Sequence, residues 1–242
     1  AVWELLVRVL DVRPFVLLPP SRIVRGFLDD PSFFAEHAWV TARHLLAGLA
    51  IALAVAVTLG SALAAWRPLE AASQPLLVLV MVTPWVAYIS SIVLWLGSGT
   101  PSIVFLVAFV SVPAFVYATV AGMRGADPAA RELFASVDVA PLEVLWRLRL
   151  PAALPSLFTS LRFNVGLGLA AAYYAEGAAF TTDGLGAVGK RAAAQQQGGT
   201  VLWTTILTTA ALGILVQLAV LAAERWLLRW HVSQRRPLTT RT

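Results

Sequence analysis

The apolar positions fall into long uncharged runs separated by short polar segments, and the runs are of membrane-spanning length. Residues 45–66 carry no charge, follow Arg43 and His44, and stop at Arg67-Pro68. No charged residue occurs over 71–123. That is too long for one span, and Gly97-Ser98-Gly99-Thr100-Pro101 divides it with a turn signal, predicting spans near 74–96 and 102–123. Another span is expected over 155–180, and a last one over 201–223, closed by Arg225 and Arg229. Residues 1–10 read as the tail of a first span whose start is missing. The pattern predicts an all-α, polytopic membrane helix bundle of about six transmembrane helices, the first truncated. Between the first two spans, 21–37 reads as a short amphipathic helix at the outer surface. Ser21 is its possible cap, and Ile23, Phe27, Phe33 and Phe34 are its apolar anchors.

Composition strengthens this reading. Of 242 residues, 59% are hydrophobic and 13% charged, against about 25% charged in soluble domains. The mean hydropathy is +0.77. Lipid must cover part of that surface, and the spans leave no room for a soluble catalytic domain. Cysteine is absent, which excludes disulfides, thiol nucleophiles and cysteine–metal sites. His37, His44 and His231 are too scattered for a metal cluster, so no metal site is expected.

The net charge is +5. Beside apolar spans it reports topology rather than nucleic-acid binding. Arg67, Arg124, Arg131, Arg147, Arg149, Arg162, Arg225, Arg229, Arg235, Arg236 and Arg241 fall on one side, against Lys190 and Arg191 on the other. The arginine-rich side is expected in the cytoplasm, with the C-terminus. Arg13, Arg22 and Arg25 fall on the outer side and disagree.

One segment does not belong to the membrane. In 127–155, Asp127 is placed to cap a helix with Pro128 at its first position. A second helix begins at Pro141, with Glu143 in its first turn and Arg147 and Arg149 in its last, as the helix dipole favours. Pro151 and Pro155 are expected to break the chain before the next span. Leu133, Phe134, Val137, Leu142, Val144, Leu145 and Trp146 are more apolar side chains than a solvated loop needs. Two readings stand: a structured loop, or a docking element covered by a partner protein.

This segment carries a resemblance. The chain resembles the permease subunit of bacterial ATP-binding-cassette importers, closest to the branch handling nitrate, taurine and alkyl sulfonates. That family has a cytoplasmic motif of EAA, three residues, Gly, nine residues, Ile, one residue, Leu-Pro. Here Leu150-Pro151 fits its end, Leu148 stands for the Ile, Asp138 for the Gly and Glu132 for the Glu, while Leu133 and Phe134 replace the alanines. Leu18-Pro19-Pro20-Ser21, the stretch 152–170 and Gly184-Leu185-Gly186 also read as the family does.

The resemblance implies one transmembrane domain over 1–242, with a coupling-helix segment at 127–150. Glu132, Leu133, Phe134, Val137, Asp138, Leu142, Leu145 and Trp146 would contact the ATPase. It further implies two ATPase subunits that bind ATP and magnesium, and a second permease copy, giving a homodimer or, with a more regular permease, a heterodimer. An extracytoplasmic binding protein would deliver the substrate at the bacterial inner membrane. The chain itself would hold no cofactor and catalyse nothing. Asp is second to Gly at a left-handed bend, so the bend is expected to survive, with docking either kept or altered.

Glu176 is the one acidic residue well inside an expected span, about 28 Å along the helix from Leu157. The family often has a glutamate there, which implies a pathway or gate role. An interhelical hydrogen bond, or snorkelling to the outer interface, is the alternative. Thr83-Pro84-Trp85, with Tyr88, Ser90 and Ser91, sits mid-span, either lining a cavity beside a proline kink or packing in the ordinary way. Asn164 and Gln217 are expected as interhelical glue. Trp39, Trp66, Trp203, Trp226 and Trp230 are expected in interface belts.

Gly184-Leu185-Gly186-Ala187-Val188-Gly189-Lys190 fits GxxxxGK, but Arg191 stands where a nucleotide loop needs Ser or Thr for magnesium. Gly184 and Gly186 read instead as shaping an outer gate loop. Lys190 and Arg191 either draw anions to the mouth or are merely solvated. A self-sufficient secondary transporter or channel is the competing class. It calls for intramembrane charge pairs or inverted repeats, and Glu176 looks solitary. Co-purification of an ATPase distinguishes the two.

Overall fold

The computed structural model describes residues 2–10, 12, 16–179, 181–195 and 197–229. Arg13, Phe180, Trp230, His231, Arg235, Arg236 and Arg241 lie outside them. Among the described residues there is no strand.

The helices are α1 (Val2–Val9), α2 (Pro20–Asp29), α3 (Pro31–Ala65), α4 (Arg67–Val82), α5 (Ile89–Leu96), α6 (Thr100–Arg124), α7 (Pro128–Ser136), α8 (Pro141–Val144), α9 (Leu150–Ala178), α10 (Leu185–Ala193) and α11 (Gly199–Leu227). A 3₁₀ turn, Trp85–Tyr88, precedes α5, and a π turn, Leu145–Arg149, joins α8 to α9.

By length and composition, α3, α6 and α11 each suffice to cross a membrane. The pair Arg67–Val82 and Trp85–Leu96 makes a fourth span if it counts as one, bent by 91° at Thr83-Pro84. α9 is long enough at 29 residues but less apolar, because it carries Arg162, Asn164 and Glu176. One side of it is covered by protein, where it packs on α3, α6, α10 and α11, while Phe163 and Tyr174 are exposed.

The core is the contact of α3, α6 and α9, where Leu45, Ile103, Leu106, Val107, Phe115 and Ala172 are fully buried. Lipid is as apolar as leucine, so this packing gains little from expelling water and depends on close fit. Small residues supply it: Gly122 lies against the Ala153 backbone, and Gly48 and Gly168 against Val107.

Several sequence-based boundaries move. The expected surface helix at 21–37 is split at Asp30-Pro31, and its second half is the start of α3, which runs 35 residues, about 52 Å. The Asp30 carboxylate accepts from the Phe33 N–H at 3.0 Å and caps α3. That bond, helped by the Ser32 hydroxyl, holds its carboxyl below the usual carboxylate range. Ser21 is not a cap: it lies inside α2, and its N–H and hydroxyl donate to Glu4 of α1 at 3.1 and 2.6 Å. Ile23 and Phe34 are buried in the protein rather than anchored in lipid, with Phe27 stacked on Phe34 and Phe33 edge-on to it. Trp39, Trp66 and Trp226 are exposed as belts require, whereas Trp203 packs edge-on against Trp3. Asn164 donates to Ser160 within its own helix, at 2.9 Å, rather than across helices.

Candidate functional site

The two candidate regions lie at opposite ends of α9, Leu150 and Glu176 being about 39 Å apart at 1.5 Å per residue.

At the first end, α6 is joined to α9 through α7 and α8. Asp127 accepts from the Ala129 N–H at 3.0 Å, with Pro128 opening the helix as its sequence requires. Arg131 fastens α7 back onto α6, donating to the carbonyls of Ala126 at 2.7 Å and Arg124 at 2.5 Å. The turn to α8 passes through Asp138 at φ 50°, the one non-glycine residue in the left-handed region among those described. This is the position the motif gives to glycine, and an aspartate side chain tolerates it through local hydrogen bonding.

Pro151 and Pro155 do not break the chain. α8 continues through the π turn into α9, with the Leu150 N–H donating to the Leu145 carbonyl. For Pro151 the wider ring moves the Arg147 carbonyl out of the i−4 position with which a proline ring collides, whereas Pro155 is carried inside α9 itself. The last turn expected for Arg147 and Arg149 is therefore this π turn, where Arg147 pairs with Glu143 at 3.0 Å.

The segment shows an apolar surface with no cover from its own chain. Leu133, Val137, Leu142 and Trp146 are 63–66% exposed. Glu132 and Asp138 are exposed beside them, while Phe134 and Leu145 are half-buried, Leu145 against the core.

At the other end, Glu176 is fully buried and is not solitary. His44 Nδ1 lies 2.8 Å from Glu176 Oε1. The Thr41 hydroxyl and the Gly186 N–H both donate to Oε2 at 2.9 Å. On the other side of the ring, Nε2 faces the Thr100 hydroxyl at 3.1 Å.

The same residues satisfy the open N-terminus of α10. Gly184 N–H donates to His37 Nδ1 at 3.0 Å, Leu185 N–H to Thr41 Oγ1 at 2.9 Å, and Gly186 N–H to Glu176. Side chains of α3 and α9 thus cap α10, and the carboxylate sits at the positive end of its dipole. The glycines follow from this contact. Gly184 has φ +101°, and a Cβ there would strike the Glu176 carboxylate, while one at Gly186 would strike the Tyr173 carbonyl. The N–H groups that a phosphate would need in a GxxxxGK loop are already bonded within the protein. Lys190 donates to the Gly177 carbonyl at the end of α9, at 2.6 Å. A cleft of about 540 Å³ opens beside the pair, lined by Arg43, His44, Ser98, Thr100, Thr181 and Asp183 among others.

Thr83, Trp85 and Tyr88 belong to neither cluster. Thr83 ends α4 with its hydroxyl on the Leu79 carbonyl at 2.8 Å. Trp85 packs edge-on against Tyr174 of α9, and Tyr88 against Phe109 of α6.

His37, Thr41 and His44 escaped the sequence reading. They are spaced four and three apart, one face of a helix, but that face crosses the boundary drawn between a surface helix and a span.

The sequence pattern of the binding-protein-dependent transport system inner membrane component family matches residues 41–229. The chain belongs to this family. It is 30% identical over 235 residues to the formylaminopyrimidine transport permease protein ThiX of Halalkalibacterium halodurans, covering 96% of this chain and 92% of that one. It is 25% identical over 239 residues to the taurine transport system permease protein TauC of Escherichia coli, covering 95% and 86%. The aliphatic sulfonates permease SsuC of Escherichia coli is 27% identical over 237 residues, covering 96% and 88%. A structure of the MetNI methionine ABC transporter in inward-facing conformations shares the fold, with a TM-score of 0.70 at 17% identity, over 81% of this chain and 96% of that one. As a family member the chain is a multi-pass inner-membrane permease subunit of an ABC importer, working with an ATPase and a substrate-binding protein.

Proposed function

We propose that 127–150 is the element through which this permease is driven, seated in a groove of an ATPase subunit on the cytoplasmic face. Two copies of the chain, each one transmembrane domain over 1–242, form the pathway, and each receives one ATPase. ATP and magnesium are held by the ATPases alone; this chain holds no metal or cofactor and has no catalytic residue. The C-terminal tail lies in the cytoplasm. A binding protein delivers a small polar solute outside, to the mouth marked by the Arg43–Asp183 cleft. Glu132, Leu133, Phe134, Val137, Asp138, Leu142, Leu145 and Trp146 form or shape the docking face. Glu176, Gly184 and Gly186 form the outer gate, and Thr83, Trp85 and Tyr88 line the irregular span between.

The observation that carries this reading is the uncovered apolar face of Leu133, Val137, Leu142 and Trp146 on a segment continuous with α9. A soluble loop does not leave four such side chains open, and anchors of this kind cost about 2 kcal/mol or more when truncated. Leu142→Ala with Trp146→Ala is expected to cut the ATPase retained on purified permease at least tenfold. The variant should still reach the membrane, since these side chains lie outside the spans. Full retention together with unaltered solute-stimulated hydrolysis would remove 127–150 as the docking element.

A further inference from the structure

Four guanidinium groups surround a second recess, of about 340 Å³: Arg67 and Arg124 from the helix ends and Arg131 and Arg149 from within the coupling segment, with Ala64 and Met123 also lining it. Two of them have partners. Arg124 forms an ion pair with Glu70, and Arg131 is spent on backbone carbonyls. For Arg67 and Arg149 no hydrogen bond or ion pair occurs among the described residues, and no carboxylate lines the recess. Of the acidic groups around these elements, Glu70 is taken by Arg124, Asp127 caps α7, and Glu132 is exposed. Like charges gathered this closely repel unless an anion joins them.

The recess lies where apolar helices end. Ala64 and Arg67 flank the junction of α3 and α4, and Met123 and Arg124 close α6. Trp66, at the same level, is 60% exposed, as an interface tryptophan is. This is headgroup depth. Guanidinium forks match phosphate oxygens in pairs, and basic pockets between spans at this depth suit anionic lipid.

We propose that this recess binds the phosphate of an anionic phospholipid, its glycerol against Ala64 and Met123 and its oxygens shared between Arg67 and Arg149. The bound lipid joins the ends of α3, α4 and α6 to the coupling segment through Arg149 of its π turn. The site is independent of the docking reading, because lipid retention needs no ATPase.

The permease–ATPase complex is reconstituted in nanodiscs of equal phosphatidylglycerol and phosphatidylcholine, extracted, and its retained lipid measured by native mass spectrometry. The wild type should retain phosphatidylglycerol over phosphatidylcholine. Arg67→Gln with Arg149→Gln should lose that retention about tenfold or more, and Arg67→Lys with Arg149→Lys should keep most of it. Equal retention by the glutamine variant overturns the proposal. So does loss of the ATPase from that variant with lipid unchanged, which makes the recess a protein contact. Binding of inorganic phosphate by lipid-free wild type in detergent, abolished in the glutamine variant and displacing the lipid, moves the source to a solute and overturns the lipid assignment. Should the glutamine variant not assemble, the wild type decides: phosphatidylglycerol must raise its melting temperature above that in phosphatidylcholine, and equal melting overturns the proposal.

Discussion

A carboxylate at the end of a membrane helix needs donors on both oxygens, and Glu176 has them in His44, Thr41 and the Gly186 N–H. Truncating it leaves His44 and the Gly186 N–H without this partner in a buried place, where each unsatisfied group costs about 1–3 kcal/mol. Glu176→Ala is therefore expected to lower the detergent melting temperature of the permease and to abolish coupled uptake. Glu176→Gln keeps an acceptor for Gly186 and should lose less. An alanine variant that melts like the wild type would reduce the pair to an incidental contact. Glu176 was legible as the one carboxylate in a long uncharged setting, and Gly184 and Gly186 as a motif. Their partners were not, because hydrogen bonds between residues more than a hundred positions apart leave no local pattern.

Helix starts were readable where a side chain makes them. Asp127-Pro128 and Pro141 begin α7 and α8 as the sequence predicts, since capping is settled within three residues. Asp30-Pro31 carries the same signal, and it is the start of α3 that the amphipathic pattern of 21–37 obscured. Prolines were the weak point in the other direction: the π turn carries the chain past Pro151, and packing of the buried Ala153 and Leu157 on either side of Pro155 keeps α9 helical through it. The bend at Asp138 offers a direct test of an element's geometry. At φ 50°, Asp138→Gly should be neutral or stabilising by a few tenths of a kcal/mol, and Asp138→Val should cost about 1–2 kcal/mol and weaken ATPase retention. The Val variant binding ATPase as the wild type does would show that the bend is not what docking recognises.

For the whole molecule, the alternation of apolar runs and arginine-rich segments was enough to give an all-helical membrane bundle. It failed at the spans' edges: α3 begins well before the uncharged run and is longer than a bilayer requires, and α9, expected as a span over 155–180, already starts at Leu150. A fluorescent reporter that matures only in the cytoplasm should be active when fused after Thr242, and a disulfide-dependent phosphatase fused there should be inactive. Activity on the outer side would reverse the orientation and move the coupling segment away from ATP. α9 also has a mechanical consequence. It is one rod of about 43 Å with the driven segment at one end and the α10 cap at the other. Pivoted at its lower end, a lever of that length swings its tip about 7 Å for a tilt of about 10°. The bonds holding α10 span about 3 Å. Such a tilt must therefore carry α3 and α10 along as one block or detach them, with nothing stable between the two.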